Sequence, residues 1–228
     1  MKAKLYSHEV LIGETELSIT DNSMGIVSGK LLPTDGYRQL HSTFIKRYDT
    51  AHKNFRRLNL NLQLENGCYI SPSKIWVEAF EDFPDEITVY GLGVSRQIID
   101  DYFEASPPKV FVEEPWYTLG LQQKIGLEKE LLREIGDGNF SFWDKLRGKT
   151  KSHVLTEFFC SANARSSMAD DVLFEIESKN ADYAFAVVHL TWSGKKERFV
   201  NCPGTDFYKN FDEFKHFRML ADKGEWES

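Results

Sequence analysis

The segment from Leu58 to Glu65 places four leucines in strict alternation with polar residues, and Asn66-Gly67 follows it directly. A period of two is typical of a β-strand that buries one face and leaves the other in water. Asn-Gly is the favoured dipeptide of a two-residue type I′ turn between paired strands. The pattern therefore predicts a hairpin of an antiparallel sheet, with the leucines facing a core.

A second strand is predicted from Ala184 to Trp192, the most apolar run in the chain. Both sets of alternate residues in this run are mostly apolar, which is typical of a strand that is covered on both faces. One predicted face carries Phe185, Val187, His189 and Thr191, and the other carries Ala184, Ala186, Val188, Leu190 and Trp192. We expect this strand to be central in the C-terminal half, with Trp192-Ser193-Gly194-Lys195 as its exit turn.

Apolar periodicity predicts further elements around these two strands. Strands are expected at 153–160 and 171–177. A helix is expected at 119–135, with Leu121, Ile125, Leu132 and Ile135 on one face and Gly136 as its C-cap. The last helix, from Phe211 to about Asp222, is expected to present Phe211, Phe214, Phe217 and Ala221. These patterns predict an α+β fold.

The chain of 228 residues is long for one domain and comfortable for two. Glu104-Ala105-Ser106-Pro107-Pro108-Lys109 is the best linker candidate, because its two prolines favour an extended chain. We expect two small modules, at 1–108 and 116–228, each a mainly antiparallel sheet with packed helices.

Composition limits the classes of function. The net charge of −7 disfavours nucleic acid and anionic membrane surfaces as partners, since both need a basic patch. The three cysteines form no C-x-x-C pair, and the N-terminus lacks a signal-peptide core. We expect a cytoplasmic protein with no cofactor and no metal.

No motif commits the chain to a reaction, but three residues are candidates for catalysis. His189 lies near the end of an apolar strand, where a polar group needs a partner. Asp171 and Glu175 share one face of the strand 171–177, and carboxylates with a histidine suit acid–base or metal chemistry if they converge. The simpler interpretations are a solvated sheet face for the carboxylates and a buried, hydrogen-bonded histidine.

Two groups of segments carry a resemblance. The first group is Ile12-Gly13, Ser23-Met24-Gly25, Gly29–Thr34 and Tyr37, and the second is Asp170–Glu175, Ala186–Glu197, Pro203, Thr205 and the positions Phe211, Phe214, Met219, Asp222 and Trp226. With them the chain resembles an uncharacterised bacterial protein family and is similar in style to toxin-immunity proteins. The resemblance implies a protein partner and assigns no catalytic residue.

Two hypotheses follow. The first is a non-enzymatic interaction protein of immunity type, which binds a toxin through an acidic or aromatic face. The second is a small hydrolase-like or metal-dependent enzyme whose site lies on the C-terminal sheet around His189, with Asp171, Glu175 or Arg165 nearby. The surroundings of the His189 ring discriminate between them. The oligomeric state is left open by the sequence.

Overall fold

The fold is α+β, with helices packed on two antiparallel sheets. The computed structural model describes residues 1–45, 58–80, 83–103, 110–136, 152–177, 182–199 and 201–228. These residues divide into two compact units, Met1–Phe111 and Val112–Ser228. The predicted linker at 104–109 lies outside the described residues.

The N-terminal unit contains an eight-stranded sheet in the order β6-β5-β1-β2-β4-β8-β7, with β3 paired to β4. Its strands are β1 (Lys2–Ser7), β2 (Val10–Glu16), β3 (Ser18–Asp21), β4 (Ile26–Pro33), β5 (Leu60–Leu64), β6 (Tyr69–Ile70), β7 (Ile75–Phe80) and β8 (Phe83–Gly91). Helix α1 (Asp35–Ile45) packs against β2, β4 and β7. Helix α2 (Arg96–Ile98) continues as a π-helical turn (Ile99–Phe103).

The hairpin predicted from the leucine alternation is confirmed, because Leu62 pairs with Ile70 across β5 and β6. Its turn differs from the prediction. The Leu64 amide donates to the Cys68 carbonyl, so the loop has three residues and not two. Only Gly67 of this loop has a positive φ, at 88°, which fits a turn closed by a left-handed glycine.

The polar face of β5 is more buried than the alternation predicts. Asn61 is buried, and its side-chain amide donates a hydrogen bond to the backbone carbonyl of Asn59 at 3.0 Å. A buried amide is tolerated when it is hydrogen-bonded in this way. The expectation of one fully solvated face is wrong at this position.

The C-terminal unit contains a five-stranded antiparallel sheet in the order β13-β12-β11-β10-β9. Its strands are β9 (Trp116–Thr118), β10 (Phe159–Ser166), β11 (Asp171–Glu177), β12 (Phe185–His189) and β13 (Gly204–Tyr208). Helix α3 (Leu121–Ile135) packs on β10. Helix α4 comprises Phe211–Phe214, a π-helical segment (Lys215–Met219) and Leu220–Trp226.

The strand predicted at 171–177 is confirmed, and it is itself the central strand of this sheet. The strand predicted within 184–192 covers Phe185–His189 and lies between β11 and β13, so the expectation that it is central is wrong. The strand predicted at 153–160 is wrong for its first part. Val154–Glu157 is a 3₁₀ turn, and the strand begins at Phe159. The turn forms because the Nδ1 atom of His153 accepts the Leu155 amide as an N-cap.

Helix α3 ends as predicted, at Gly136 with φ of 72°, but its buried face differs from the prediction. Leu132 is exposed, whereas Lys124, Glu130 and Glu134 are buried together with the apolar residues. Buried charges need hydrogen-bonded partners, and each of these three has them in the strands or loops beside the helix.

Helix α4 buries Phe211 and Phe214 as predicted, but Phe217 and Ala221 are exposed. Met219 is buried in their place. The π-helical segment Lys215–Met219 explains the error, because a π turn contains more residues than an α turn and shifts the apolar face along the sequence.

Candidate functional site

The register of β11 and β12 places Asp171 directly opposite His189. The Oδ1 atom of Asp171 lies 2.8 Å from the Nδ1 atom of His189. Asp171 is buried, whereas the His189 side chain is 60% exposed. The buried carboxylate therefore holds a largely exposed imidazole through one of its two nitrogens.

Arg218 of α4 donates a hydrogen bond to the other carboxylate oxygen of Asp171. Its Nη2 atom lies 2.5 Å from Oδ2 of Asp171, and its Nε atom donates to both oxygens of Asp222, at 3.0 and 2.9 Å. The Trp116 indole also donates to Asp222, at 2.8 Å. Burial disfavours the charged guanidinium, but the hydrogen bonds and charges of Asp222 and Asp171 outweigh it and raise the pKa of Arg218.

The other sequence candidates do not join this group. Glu175 is buried on the same strand face, but four residues of strand separate it from Asp171, roughly 13 Å. Arg165 pairs with Asp170 at 2.8 Å. The simpler interpretation of the two carboxylates as a solvated face is wrong, since Asp171 and Glu175 are both buried. The simpler interpretation of His189 as buried is wrong as well.

Within the described ranges, no group of three or more histidine, cysteine, aspartate or glutamate side chains is placed to hold a metal ion. In the same part of the chain, no helix is long and apolar enough to cross a membrane.

Immediately after β12 the chain adopts an unusual conformation. Trp192 has φ of 55°, a left-handed value that is a genuine outlier for a bulky residue. The buried carboxylate of Glu134 accepts hydrogen bonds from the backbone amides of Thr191, at 2.9 Å, and Trp192, at 2.6 Å. Glu130 accepts from the Gly194 amide at 3.0 Å. Two carboxylates of α3 thus hold this backbone in place.

The Trp192 side chain lies in a small exposed cluster. Trp192 is 46% exposed, and the Arg165 guanidinium lies 5.5 Å from the centre of its ring, within cation–π range. Tyr117 is the cross-strand partner of Arg165, so their side chains share one face, and Tyr117 is exposed too. We call Tyr117, Arg165 and Trp192 the Trp192 patch.

The support that Glu130 and Glu134 give to this patch was not predicted from the sequence. Their spacing from the apolar residues of α3 could have indicated it. Glu134 stands three residues after Leu131, which is itself buried on α3, and Lys124 stands three residues before the buried Leu127. Residues three and four apart share a helix face. This spacing places Glu134 and Lys124 on the apolar face of α3, where a buried charge needs a partner elsewhere in the fold.

Comparison of the chain with protein-family models, with curated proteins and with solved structures found no match. The Asp171–His189 pair and the Trp192 patch are the two candidate functional sites of the C-terminal unit.

Proposed function

We propose that this chain is a protein-binding protein of the immunity type, and that the Trp192 patch contacts its partner. The proposal depends on Trp192, which has a left-handed backbone conformation. The exposed indole of Trp192 lies against Arg165, and the backbone amide of Trp192 is held by a hydrogen bond to Glu134. Tryptophan, tyrosine and arginine are the residues most enriched among binding hot spots.

The strain at Trp192 supports a role beyond folding. A non-glycine residue in this region costs on the order of 1–3 kcal/mol, and such residues concentrate at functional sites. Here the conformation leaves a large aromatic ring about half in water, so the ring itself gains little from burial. A partner that covers the ring would gain that burial on binding.

The test is capture of a partner from the source organism with tagged wild-type chain, followed by titration of the purified partner. Trp192→Ala is compared with Trp226→Ala, which removes an indole of similar exposure, 52% against 46%. We expect Trp192→Ala to weaken binding by about thirtyfold, as for a hot-spot residue, and Trp226→Ala to bind like wild type.

Two results would refute the proposal. One is the absence of any partner at near-stoichiometric yield, and the other is equal affinity of wild type and Trp192→Ala. An immunity protein must also protect against a toxin. The partner must therefore be toxic when it is expressed alone, and co-expression of wild type must protect cells better than co-expression of Trp192→Ala.

A second candidate function, a small hydrolase-like or metal-dependent enzyme, is favoured by the Asp171–His189 pair. A carboxylate that fixes Nδ1 of an accessible histidine is the arrangement by which a general base is oriented. In this chain Arg218 shares the carboxylate, so Asp171 is less able to stabilise a protonated imidazole.

The enzyme is tested with ester, amide and phosphate substrates, with and without added divalent metal. His189→Gln should abolish turnover, while His216→Gln, at an exposed histidine of α4, should not. Turnover that is equal in wild type and His189→Gln would remove this candidate, as would the absence of turnover in wild type.

A further inference from the structure

A basic segment directly follows Trp192 in the chain. Residues 193–198 read Ser-Gly-Lys-Lys-Glu-Arg, and we call them the basic loop. The single acidic residue of this loop, Glu197, is only partly exposed. The fully exposed charged residues of the loop are all basic, namely Lys195, Lys196 and Arg198. The charge that the loop presents to solvent is therefore positive.

The carboxylate of Glu197 is engaged within its own loop. Its Oε1 atom accepts a hydrogen bond from the Thr191 hydroxyl at 2.6 Å. This bond, with a second one from the Ser193 side chain, lowers the pKa of Glu197. The group is thus a stable anion that binds hydroxyls of the same loop. Basic residues of the loop outnumber it by three to one, so the loop keeps a net positive charge.

Carboxylates of neighbouring elements also contact the patch or the loop, and each has a partner inside the unit. Glu130 pairs with Arg133 at 3.0 Å. Asp170 pairs with Arg165 at 2.8 Å, so two of these negative charges are balanced. Glu134 is buried and accepts a hydrogen bond from the Trp192 amide. With the charge of Glu134 included, these groups and the basic loop together retain a positive excess of one.

Hydrogen bonds hold the backbone of the basic loop in place. The Gly194 amide donates to the Glu130 carboxylate of α3 at 3.0 Å. The Ser193 hydroxyl donates to the Lys195 carbonyl at 2.8 Å. A preorganised surface loses less conformational entropy when a partner binds to it. The basic side chains therefore extend from a backbone that is already fixed.

We propose that the partner contacts the Trp192 patch and the basic loop through an acidic segment that also carries an apolar or aromatic side chain. This inference rests on the proposed function and adds the chemistry of the partner. The exposed aromatic rings supply affinity, whereas opposite charges around them orient the partner and disfavour others. In a chain with a net charge of −7, a local positive excess directs an acidic segment to this place.

A nucleic acid is the other anionic partner, and it fits this surface less well. Binding of nucleic acid depends on many phosphate contacts with lysine and arginine. The overall charge of −7 opposes such a polyanion, whereas a short acidic segment meets only the basic loop. An acidic protein segment is therefore the partner that we infer.

The test uses a displayed library of random peptides and the full chain. Peptides are selected on wild type and then screened on Trp192→Ala. We expect the peptides that depend on Trp192 to be enriched in aspartate and glutamate around an aromatic or aliphatic residue. One such peptide is synthesised and titrated at about 50 mM and about 300 mM salt. Its affinity should fall at the higher salt, because exposed charge pairs are screened.

Charge variants of the basic loop complete the experiment. Lys195→Gln should weaken binding of this peptide about threefold, and Lys195→Glu at least about tenfold, because attraction is first removed and then replaced by repulsion. Lys195 is exposed, so the melting temperature should be unchanged. The matched control is Lys209→Glu, the same charge reversal at an exposed lysine after β13, at the opposite end of the sheet from Trp192. It should bind like wild type.

Two results would overturn this inference and leave the contact through the Trp192 patch intact. One is a set of Trp192-dependent peptides without acidic enrichment, and the other is equal affinity of wild type and Lys195→Glu. A selection that yields no Trp192-dependent peptide would also overturn it, and titration of the captured partner then decides the proposed function separately. Tighter binding of a single-stranded oligonucleotide of about 12 nucleotides at the same site would replace the acidic segment by nucleic acid.

Discussion

The carboxylate of Glu134 accepts a hydrogen bond from the backbone amide of Trp192 at 2.6 Å, while it also binds the amide of Thr191. A helix residue thus fixes the backbone of the loop that follows β12. Because Glu134 is buried, water cannot easily replace it as an acceptor. The buried carboxylate of Glu134 on α3 therefore sets the exposed position of the Trp192 ring.

Glu134→Ala should destabilise the C-terminal unit by about 2 kcal/mol, because it removes the buried, charged acceptor of two partly buried backbone amides. Urea unfolding measures the loss. Hydrogen exchange at the Trp192 amide should accelerate at the same time. Leu132→Ala on the exposed side of α3 is the control and should change the stability by less than about 0.5 kcal/mol. Unchanged exchange at Trp192 in Glu134→Ala would contradict the assigned role.

Lys124 is a second buried charge on α3, and all three of its ammonium hydrogens have acceptors. Its Nζ atom contacts the Glu128 carboxylate, Oγ of Ser161 at 2.7 Å and the Ala162 carbonyl at 3.1 Å. Lysine and serine at this distance are the residue types of a nucleophile with its base, but both are fully buried here and reach no substrate. We interpret the contact as a structural link between α3 and β10.

Lys124→Met should therefore destabilise the unit by about 3 kcal/mol, since it removes one partner of a buried ion pair and leaves the others in place. Chemical denaturation measures the change. Lys129→Met, at an exposed position of the same helix, should be close to neutral. Equal stabilities of the two variants would show that the buried link contributes nothing.

The strands could be predicted because their signal is local. Leu62 and Leu64 alternate with polar residues, and this period alone predicts a half-buried strand. The strand 171–177 follows from the same rule. Its burial on both faces could not be predicted, because it depends on which helices cover the sheet and on Arg218 reaching Asp171 across 47 residues.

The candidate site could be predicted only in part. The sequence predicts His189 and Asp171 as candidates, and the strand register brings them together. The left-handed conformation of Trp192 has no local signal, because it is imposed by Glu134 from 58 residues away. The exposure of Phe217 depends on a π turn that no residue in the segment marks.

Arg218 should be intolerant of lysine. It donates through Nε to Asp222 and through Nη2 to Asp171, a forked geometry that a lysine ammonium does not reproduce. Arg218→Lys should cost about 2 kcal/mol of unfolding free energy, because buried Asp171 loses a charged partner. Arg198→Lys, at an exposed arginine, is the matched control and should be neutral. A thermal or urea unfolding curve of Arg218→Lys that overlays that of wild type would contradict this account.

The stability of the C-terminal unit should depend on pH through His153. Its Nδ1 atom accepts the Leu155 amide at 3.2 Å, so the proton of the neutral ring lies on Nε2 and is donated to the Pro203 carbonyl at 3.0 Å. Burial lowers the pKa of His153, and the hydrogen bond to Pro203 opposes this only in part. Protonation of Nδ1 would also remove the acceptor that caps the 3₁₀ turn at Leu155.

Because the pKa of His153 is lower in the folded chain than in the unfolded one, the unfolded chain takes up the proton first as the pH falls. The contribution of the neutral ring is therefore complete above the unfolded value near 6.5 and is lost as the pH drops below it. We expect the stability advantage of wild type over His153→Gln to be larger at pH about 7.5 than at pH about 5. Urea unfolding at both pH values measures it, with His216→Gln as a control whose difference from wild type should not follow this trend. An advantage over His153→Gln that is the same at both pH values would show that His153 is not the titrating group.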